Sequence, residues 1–301
     1  MMVSVIIPTM NRLESVLRCL DSVLDSNFKN IEIIVVDNAS VDSVCNDLEL
    51  YKNKNKNKNK NFHIIYSKDN LGAGGGRNLG AKKAKGKYLL FLDDDNVIDK
   101  SMISNLINIF ESDYSQEYVM LGPIMLYLSE PKKIWMKYIN INMYTSQAIS
   151  KGNKDNYIPG SRILETGTLP NCFMLRSKEF KLVNGFDEKF IVMYEESDLA
   201  YRLKNKFKRK IAVVENAITY HDVDFCSKSL SGTCQTNIRS YLTARNRVYF
   251  MRKNTSILQV CVFALIFFPL VTIMYLFSFL KYGQFKKSYY FLKGSIKGWC
   301  I

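Results

Sequence analysis

Tyr88-Leu89-Leu90-Phe91-Leu92-Asp93-Asp94-Asp95-Asn96 decides the fold. Five apolar residues in a row, closed by acids, make a strand buried on both faces. Such a strand belongs to a parallel sheet covered by helices, so it needs neighbours of the same kind. Val3–Pro8 and Ile31–Asp37 are similar runs upstream, and Phe62–Tyr66 and Val119–Ile124 are shorter ones. Helical patterns fill the gaps at Glu14 to about Asp25, Gly75–Lys85 and Ser101–Phe110. This alternation predicts an α/β fold, a mostly parallel central sheet with helices on both faces. Ligands of such sheets bind beyond the carboxyl ends of the strands. Pro8-Thr9, Asp37 and Asp93–Asp95 all fall at those ends.

Adjacent carboxylates repel and raise one another's pKa. A hard divalent cation with oxygen ligands removes the conflict. Alternation along an extended chain puts Asp93 and Asp95 on one side and Asp94 on the other. A solvated acidic turn is the plainer alternative. Gly72-Ala73-Gly74-Gly75-Gly76-Arg77-Asn78-Leu79-Gly80 joins a strand to a helix. Its glycines allow close backbone approach, and a helix N-terminus suits phosphate. It partly mimics a dinucleotide fingerprint, with Arg77 at the third glycine position, and a flexible turn explains it equally.

A third cluster comprises Gly185-Phe186-Asp187-Glu188 and Tyr194-Glu195-Glu196-Ser197-Asp198-Leu199. Asp198 and Arg202 form an ordinary i,i+4 pair on a helix spanning Asp198–Asn205. Glu195 and Glu196 precede that helix, so at least one can face a cleft. His221, one of two histidines, follows a strand that starts near Ile211. Beside an aspartate triad it becomes a candidate metal ligand.

Charge is unevenly placed. The 301 residues carry +14, of which +10 lies from Arg239 onward, where no acid occurs. A nucleic-acid protein spreads basic residues over a folded face, so this balance argues against one. The alternating Lys-Asn tract at Lys52–Asn61 reads as a solvated, mobile loop insertion, since it has no aromatic residue to stack bases. Residues 134–169 have a weak pattern, suited to a substrate-facing loop region. Arg239–Lys253 looks like a basic amphipathic helix. Ile257–Leu280 is 24 residues without a charge, roughly 36 Å as a helix against about 30 Å of bilayer core. Pro269 would kink or split it. Basic flanks on both sides fit a re-entrant or surface-lying hairpin as well as a span. The division that follows is 1–238 as catalytic body and 239–301 as membrane-associating region. Seven scattered cysteines without a Cys-x-x-Cys pair argue against a zinc ribbon or dithiol site. The short apolar start is a strand rather than a signal peptide, which makes a reducing cytosolic compartment the default.

Taken together, these pieces resemble the inverting family 2 glycosyltransferases of GT-A fold, over about residues 2–253. Val3–Arg12 looks like that family's opening strand and nucleotide loop. Ile34–Ser40 is similar to its Val-Asp-Asp/Asn-x-Ser turn, whose aspartate contacts the base. Gly72–Gly80 is similar to its Gly-x-x-x-Arg-Asn-x-Gly segment, and Asp93–Asp95 to its Asp-x-Asp motif. Glu195-Glu196-Ser197-Asp198-Leu199 matches Glu-Asp-x-Asp-Leu, whose second acid is the usual general base. Here that acid is Glu196, a longer side chain, which leaves the role between Glu196 and Glu195. His221 corresponds to a metal-binding histidine of some members. Arg245-Asn246-Arg247 looks like the rhamnosyltransferase-like branch. The resemblance implies donor contacts from Pro8, Thr9, Asn11, Arg12, Asp37, Asn38, Arg77, Asp93 and Asp94. It implies Mg²⁺ or Mn²⁺ on Asp93, Asp95 and His221. Its expected partners are a nucleotide-diphosphate sugar, a glycan or lipid-linked acceptor, and the cytoplasmic face of the cell membrane. A Rossmann-type oxidoreductase would explain the sheet and glycines but not the aspartates. A membrane-anchored scaffold without catalysis is the third reading.

Overall fold

The computed structural model describes residues 2–225 and 236–301. Cys226 and Cys234 lie outside the described residues. Strands β1 (Val3–Thr9), β2 (Ile31–Asn38), β3 (Phe62–Ser67) and β4 (Tyr88–Leu92) alternate with helices α1 (Leu13–Leu24), α2 (Asp42–Lys54) and α3 (Gly72–Lys83). Then come β5 (Asn96–Ile98), α4 (Met102–Phe110), β6 (Tyr118–Tyr127) and four short strands, β7 (Ile134–Met136), β8 (Tyr138–Ile141), β9 (Ala148–Lys151) and β10 (Ile163–Thr166). β11 (Cys172–Arg176), α5 (Ser177–Leu182), α6 (Glu195–Phe207), β12 (Lys210–His221) and α7 (Asn237–Asn254) complete the body.

The main sheet runs β10-β12-β6-β11-β4-β1-β2-β3. β1 is parallel to β2 and β4, β2 to β3, and β12 to β6. β11 lies antiparallel between β4 and β6. The unbroken apolar runs have a direct cause. Val5, Ile7, Ile33, Val35, Leu90 and Leu92 face one core with Leu20 of α1 and Phe110 of α4. Their alternates Ile6, Ile34, Val36, Leu89 and Phe91 face a second core with Phe180 of α5 and Leu199 of α6. Both sides of every central strand are buried, so period-two alternation leaves no exposed face; the polar residues inside, Ser4 of β1 and Glu32 of β2, lie opposite each other, with Ser4 Oγ donating to Glu32 Oε2 at 2.5 Å.

Register builds the polar edge. Thr9 lies opposite Asp37, and Ile6 opposite Phe91, so β1, β2 and β4 end together. Antiparallel β11 delivers Asn171 to the same edge, where its carbonyl accepts from the Asp93 N–H at 2.9 Å. β5 pairs with the end of β12, which sets His221 against Asn96.

Several local expectations change. Asp93–Asp95 is a turn, closed by the Asn96 N–H donating to the Asp93 carbonyl at 3.1 Å, so strand alternation does not govern it. Glu195 and Glu196 do not precede α6; they form its first turn. The Lys-Asn tract is not all loop. α2 runs through Lys54, where Lys52 and Lys54 complement its C-terminal dipole. The glycines of α3 serve packing. A Cβ on Gly76 would lie 3.3 Å from Pro8 Cβ, and one on Gly80 2.5 Å from Ile6 Cγ2.

α7 is buried along most of its length, not amphipathic, and Arg245, Asn246 and Arg247 are all inside. The helix assigned by charge to the tail therefore packs into the body, around Phe190, Phe250 and Met251. Beyond it, α8 (Ile257–Val262), a π turn (Phe263–Phe267) and α9 (Phe268–Lys281) form one apolar run, Ile257–Lys281, holding an 18-residue stretch of mean hydropathy 2.6 with little burial. It alone among the described residues is long and apolar enough to cross a bilayer. Pro269 does not split it: the ring sits in the first turn of α9, just after the π turn, where its missing N–H is tolerated. α10 (Phe285–Gly298) returns onto α7, so closely that a Cβ on Gly294 would collide with the Tyr241 carbonyl.

Gly80→Ala tests the α3 contact. Alanine favours a helix by about 1 kcal/mol over glycine, but overpacking costs about 1–3 kcal/mol. We expect a lower thermal midpoint. A midpoint at or above wild type would show that the sheet yields to the extra methyl.

Candidate active site

Arg77 is the centre of the site. α3 lies flat on the sheet through its glycines and carries the side chain under the polar edge, where it is only 1% exposed. Its guanidinium donates to Asp93 Oδ1 at 2.5 Å, Glu196 Oε1 at 2.9 Å and Glu195 Oε1 at 3.4 Å. One cation thus joins the turn after β4 to the first turn of α6. Burial works against the charge of Arg77, but the three carboxylates outweigh it and raise its pKa. Burial also raises Asp93 and Glu195; for Glu195 the neighbouring Glu196 adds to the effect and Arg77 opposes it. Glu195 is fully buried with Oε2 unpartnered, whereas Glu196 keeps part of its surface open. Both terminal nitrogens of Arg77 are engaged by carboxylates, while its Nε is buried without a partner.

Asp94 and Asp95 turn the other way. Thr9 Oγ1 donates to Asp94 Oδ2 at 2.7 Å, and Arg12 bridges Asp94 at 2.7 Å and Asp95 at 3.0 Å. Burial pushes the Asp94 carboxyl up to about 7 against Arg12 and Thr9. Burial acts on Asp95 in the same sense, but the hydrogen bond and charge of His221, with Arg12, hold it down at about 2. His221 Nε2 lies 3.4 Å from Asp95 Oδ1.

The expected metal set is only partly gathered. Asp93 does not share a side with Asp95, because the turn aims it at Arg77. No cluster of three His, Cys, Asp or Glu ligands stands ready among the described residues. Asp95 and His221 do fit a divalent cation, as a hard oxygen beside an imidazole nitrogen. His221 Nδ1 and Asn96 Oδ1 beside them are buried without hydrogen-bond partners.

On the β2 side, Asp37 is 1% exposed, with Oδ1 unpartnered while Oδ2 accepts from Cys45 Sγ at 3.2 Å and the Ser40 N–H at 3.3 Å. Asn38 is occupied as a staple. It donates to Asn70 Oδ1 and the Gly72 carbonyl, both at 3.1 Å, and accepts from the Leu71 N–H at 2.9 Å. Asn11, at φ +55°, ties the loops after β1 and β2 by accepting from the Val41 N–H at 2.9 Å. Pro8 packs on α3. The first two N–H groups of that helix are taken: Gly72 donates to Asn70 Oδ1, and Ala73 to the Ile191 carbonyl at 2.8 Å. Two neighbours of His221 went unread in the sequence. Asn171 Nδ2 lies 3.2 Å from Nε2, and the Trp135 ring meets the imidazole edge-on at 4.3 Å. Only the antiparallel course of β11 and the path of β7 bring them there.

The model of the family described as "Glycosyl transferase family 2" matches residues 4–174. The Escherichia coli UDP-Glc:alpha-D-GlcNAc-diphosphoundecaprenol beta-1,3-glucosyltransferase WfaP is 34% identical over 152 residues, 46% of this chain and 57% of that protein. The chain thus spans little more than half of that relative. Among solved structures, Staphylococcus aureus TarS 1-349 superposes with a TM-score of 0.54 at 19% identity, covering 88% of this chain and 71% of that one. The Pyrobaculum calidifontis mannosyltransferase PcManGT, in complex with GDP-Man and Mn²⁺, gives 0.59 at 11% identity over 99% and 86%. These likenesses establish the GT-A fold, and the family match spans more than half of the sequence. With the strand-end aspartates and the two glutamates meeting on one buried arginine, the chain belongs to glycosyl transferase family 2.

Proposed function

We propose that this chain is an inverting hexosyltransferase. It moves a sugar from a nucleotide-diphosphate donor to a hydroxyl of a glycan or lipid-linked acceptor, in cell-surface polysaccharide or glycoconjugate synthesis. The observation that carries this is the Arg77 bridge, which sets the donor-side aspartates and the α6 glutamates at one strand edge. The names of WfaP and PcManGT, a glucosyltransferase and a mannosyltransferase, support the class.

Asp37, buried with one free carboxylate oxygen, receives an N–H of the base; Thr9, Asn11 and Arg12 line the path to the diphosphate. Asp95 and His221, with Asp93 able to join by leaving Arg77, would hold Mg²⁺ or Mn²⁺. That cation neutralises the leaving diphosphate when bound. Glu196 accepts the proton of the acceptor hydroxyl as its oxygen bonds to the anomeric carbon. The bond from that carbon to the diphosphate oxygen breaks, and the diphosphate leaves with the electron pair. Attack from the opposite face inverts the configuration. Glu195 lies too deep to reach an acceptor and holds Arg77 instead.

Glu196→Gln keeps size and hydrogen bonding but takes no proton. Transfer should fall on the order of 10²–10⁴-fold, with donor affinity retained. Glu195→Gln measured beside it decides the role, because loss of transfer there alone would move the base by one residue.

Asp95→Asn should abolish metal-dependent affinity for a nucleoside diphosphate in titration calorimetry with Mn²⁺. His221→Ala should weaken it less, since a neutral ligand contributes less than a charged one. Unchanged affinity in Asp95→Asn would refute the metal assignment.

Ile257–Lys281 seats the enzyme at the membrane on this reading, with the basic flanks on anionic lipid of the cytoplasmic face. α10 adds an exposed apolar stripe, Phe285, Tyr289, Leu292 and Ile296. Ile273 is exposed on the apolar run, where aspartate costs about 2.5–3.5 kcal/mol in lipid. Ile273→Asp should move the protein from floated anionic vesicles toward the soluble fraction. Wild-type protein that stays soluble without detergent would refute the membrane reading.

A further inference from the structure

The approach to α6 has an unusual backbone. Ile191 sits at φ +65° and ψ −64°, the centre of a tight turn in which the Val192 N–H donates to the Phe190 carbonyl at 2.7 Å. That is the strained form of the γ-turn, and a β-branched residue is a poor occupant. Met193 and Tyr194 follow at φ +69° each, and Glu195 comes next. Three non-glycine residues in a left-handed region do not hold themselves there; surrounding structure has to do so.

The surrounding structure is the pair Arg245-Asn246 in α7. Asn246 is fully buried. Its Nδ2 sits among three carbonyls of the segment, Phe190 at 2.7 Å, Val192 at 2.8 Å and Met193 at 2.9 Å. Its Oδ1 accepts from Arg245 Nε at 2.8 Å, which fixes the amide's orientation. Arg245 Nη2 donates to the Lys189 carbonyl at 2.6 Å and the Phe190 carbonyl at 3.1 Å. The remaining carbonyl, Ile191, accepts from the first turn of α3, the helix that carries Arg77. The carbonyls from Lys189 to Met193 are thus all held between α7 and α3. Only donors can do this, and an amide with a guanidinium is the compact way to supply them.

We propose that Arg245 and Asn246 are positioning residues for the reaction. They hold residues 189–194 in the strained path that aims the first turn of α6, with Glu195 and Glu196, at Arg77 and the acceptor side of the edge. The inference rests on the reading of that turn as the site of the general base. It touches neither donor nor metal, so it separates turnover from donor binding.

The full-length protein is the material. Asn246→Ala removes the donors at Nδ2, and Arg245→Gln removes the guanidinium but leaves Asn246. Turnover of the sugar nucleotide best used by wild type should fall on the order of 10²-fold, the cost of misplacing a reacting group by about 1 Å. The Kd for UDP or GDP with Mn²⁺ should stay within about twofold of wild type. Hydrogen–deuterium exchange should quicken at 189–197 and not in β1, β2 and β4. Ile191→Gly, which relaxes the strained turn, should restore part of the turnover in the Asn246→Ala background. Unchanged turnover despite faster exchange at 189–197 would overturn the proposal. So would parallel loss of turnover and nucleotide affinity with faster exchange throughout the sheet. If Asn246→Ala does not fold, Arg245→Gln decides by the same readings. Glu195→Gln and Glu196→Gln run alongside. If one of them loses turnover while Arg245→Gln and Asn246→Ala keep it, positioning alone fails. If both keep turnover, the general-base reading fails by itself.

Discussion

A guanidinium with almost no contact with water governs this molecule. Arg77 cannot lose its charge at any ordinary pH, so its burial is tolerable only with anions around it. Three carboxylates from two distant parts of the chain supply them. The carboxylates also need the cation, since Glu195 is buried beside Glu196 and Asp93 is half-buried at the same guanidinium. The dependence is mutual. Removal of either side leaves a buried unpaired charge, typically a loss of about 3–5 kcal/mol. The strand end after β4 and the start of α6 are therefore held in one geometry by electrostatics, not only by packing.

That geometry demands a helix that lies very close to the sheet. α3 meets it with glycine at Gly76 and Gly80, where a methyl group would already press on Pro8 and Ile6. The same closeness lets Asn38 staple the start of the helix and lets the Ile191 carbonyl cap it. A motif that looks suited to phosphate is used here to bring a side chain beneath the reacting edge. Of the eight buried side chains with an unpartnered oxygen or nitrogen among the described residues, Asp37, Asn96 and His221 lie around that edge and Arg77 and Glu195 meet beneath it, while Thr272 and Ser288 lie in the C-terminal helices. Unfinished hydrogen bonding in a buried polar group is costly in a finished fold, and most of it here gathers at the strand-end edge.

The C-terminal part is less separate than its charge suggests. α7 packs into the body, and α10 packs on α7 at backbone distance. Arg247, the third member of the Arg-Asn-Arg run, donates to the Thr145 carbonyl at 3.3 Å and to the Phe267 carbonyl in the apolar run at 3.4 Å. One buried helix thus touches the loop before α6 and the segment that is apolar enough to enter a bilayer.

The sheet and its order of strand ends were legible in the chain itself. Runs such as Ile31–Asp37 and Tyr88–Leu92 can be buried on both faces in only one common architecture. Asp93–Asp95 and His221 stood out in the sequence because acids and histidine directly after apolar strands have few structural uses, and Glu195-Glu196 because two acids stand together at the start of a helix. Their directions were not visible. The turn at Asp93–Asp95 rotates Asp93 away from Asp95, and a strand-period argument fails wherever the strand has ended. The sequence placed Arg77 in a glycine-rich turn but could not show that it is buried, since burial depends on how closely α3 lies on β1. The Arg-Asn-Arg run lay in a helix expected to be basic and amphipathic, because composition cannot show that a polar side chain will meet a row of backbone carbonyls. Local pattern determines which residues face a core. Only the tertiary structure decides which buried polar groups find each other, because those partners lie 16 to 119 residues apart in sequence.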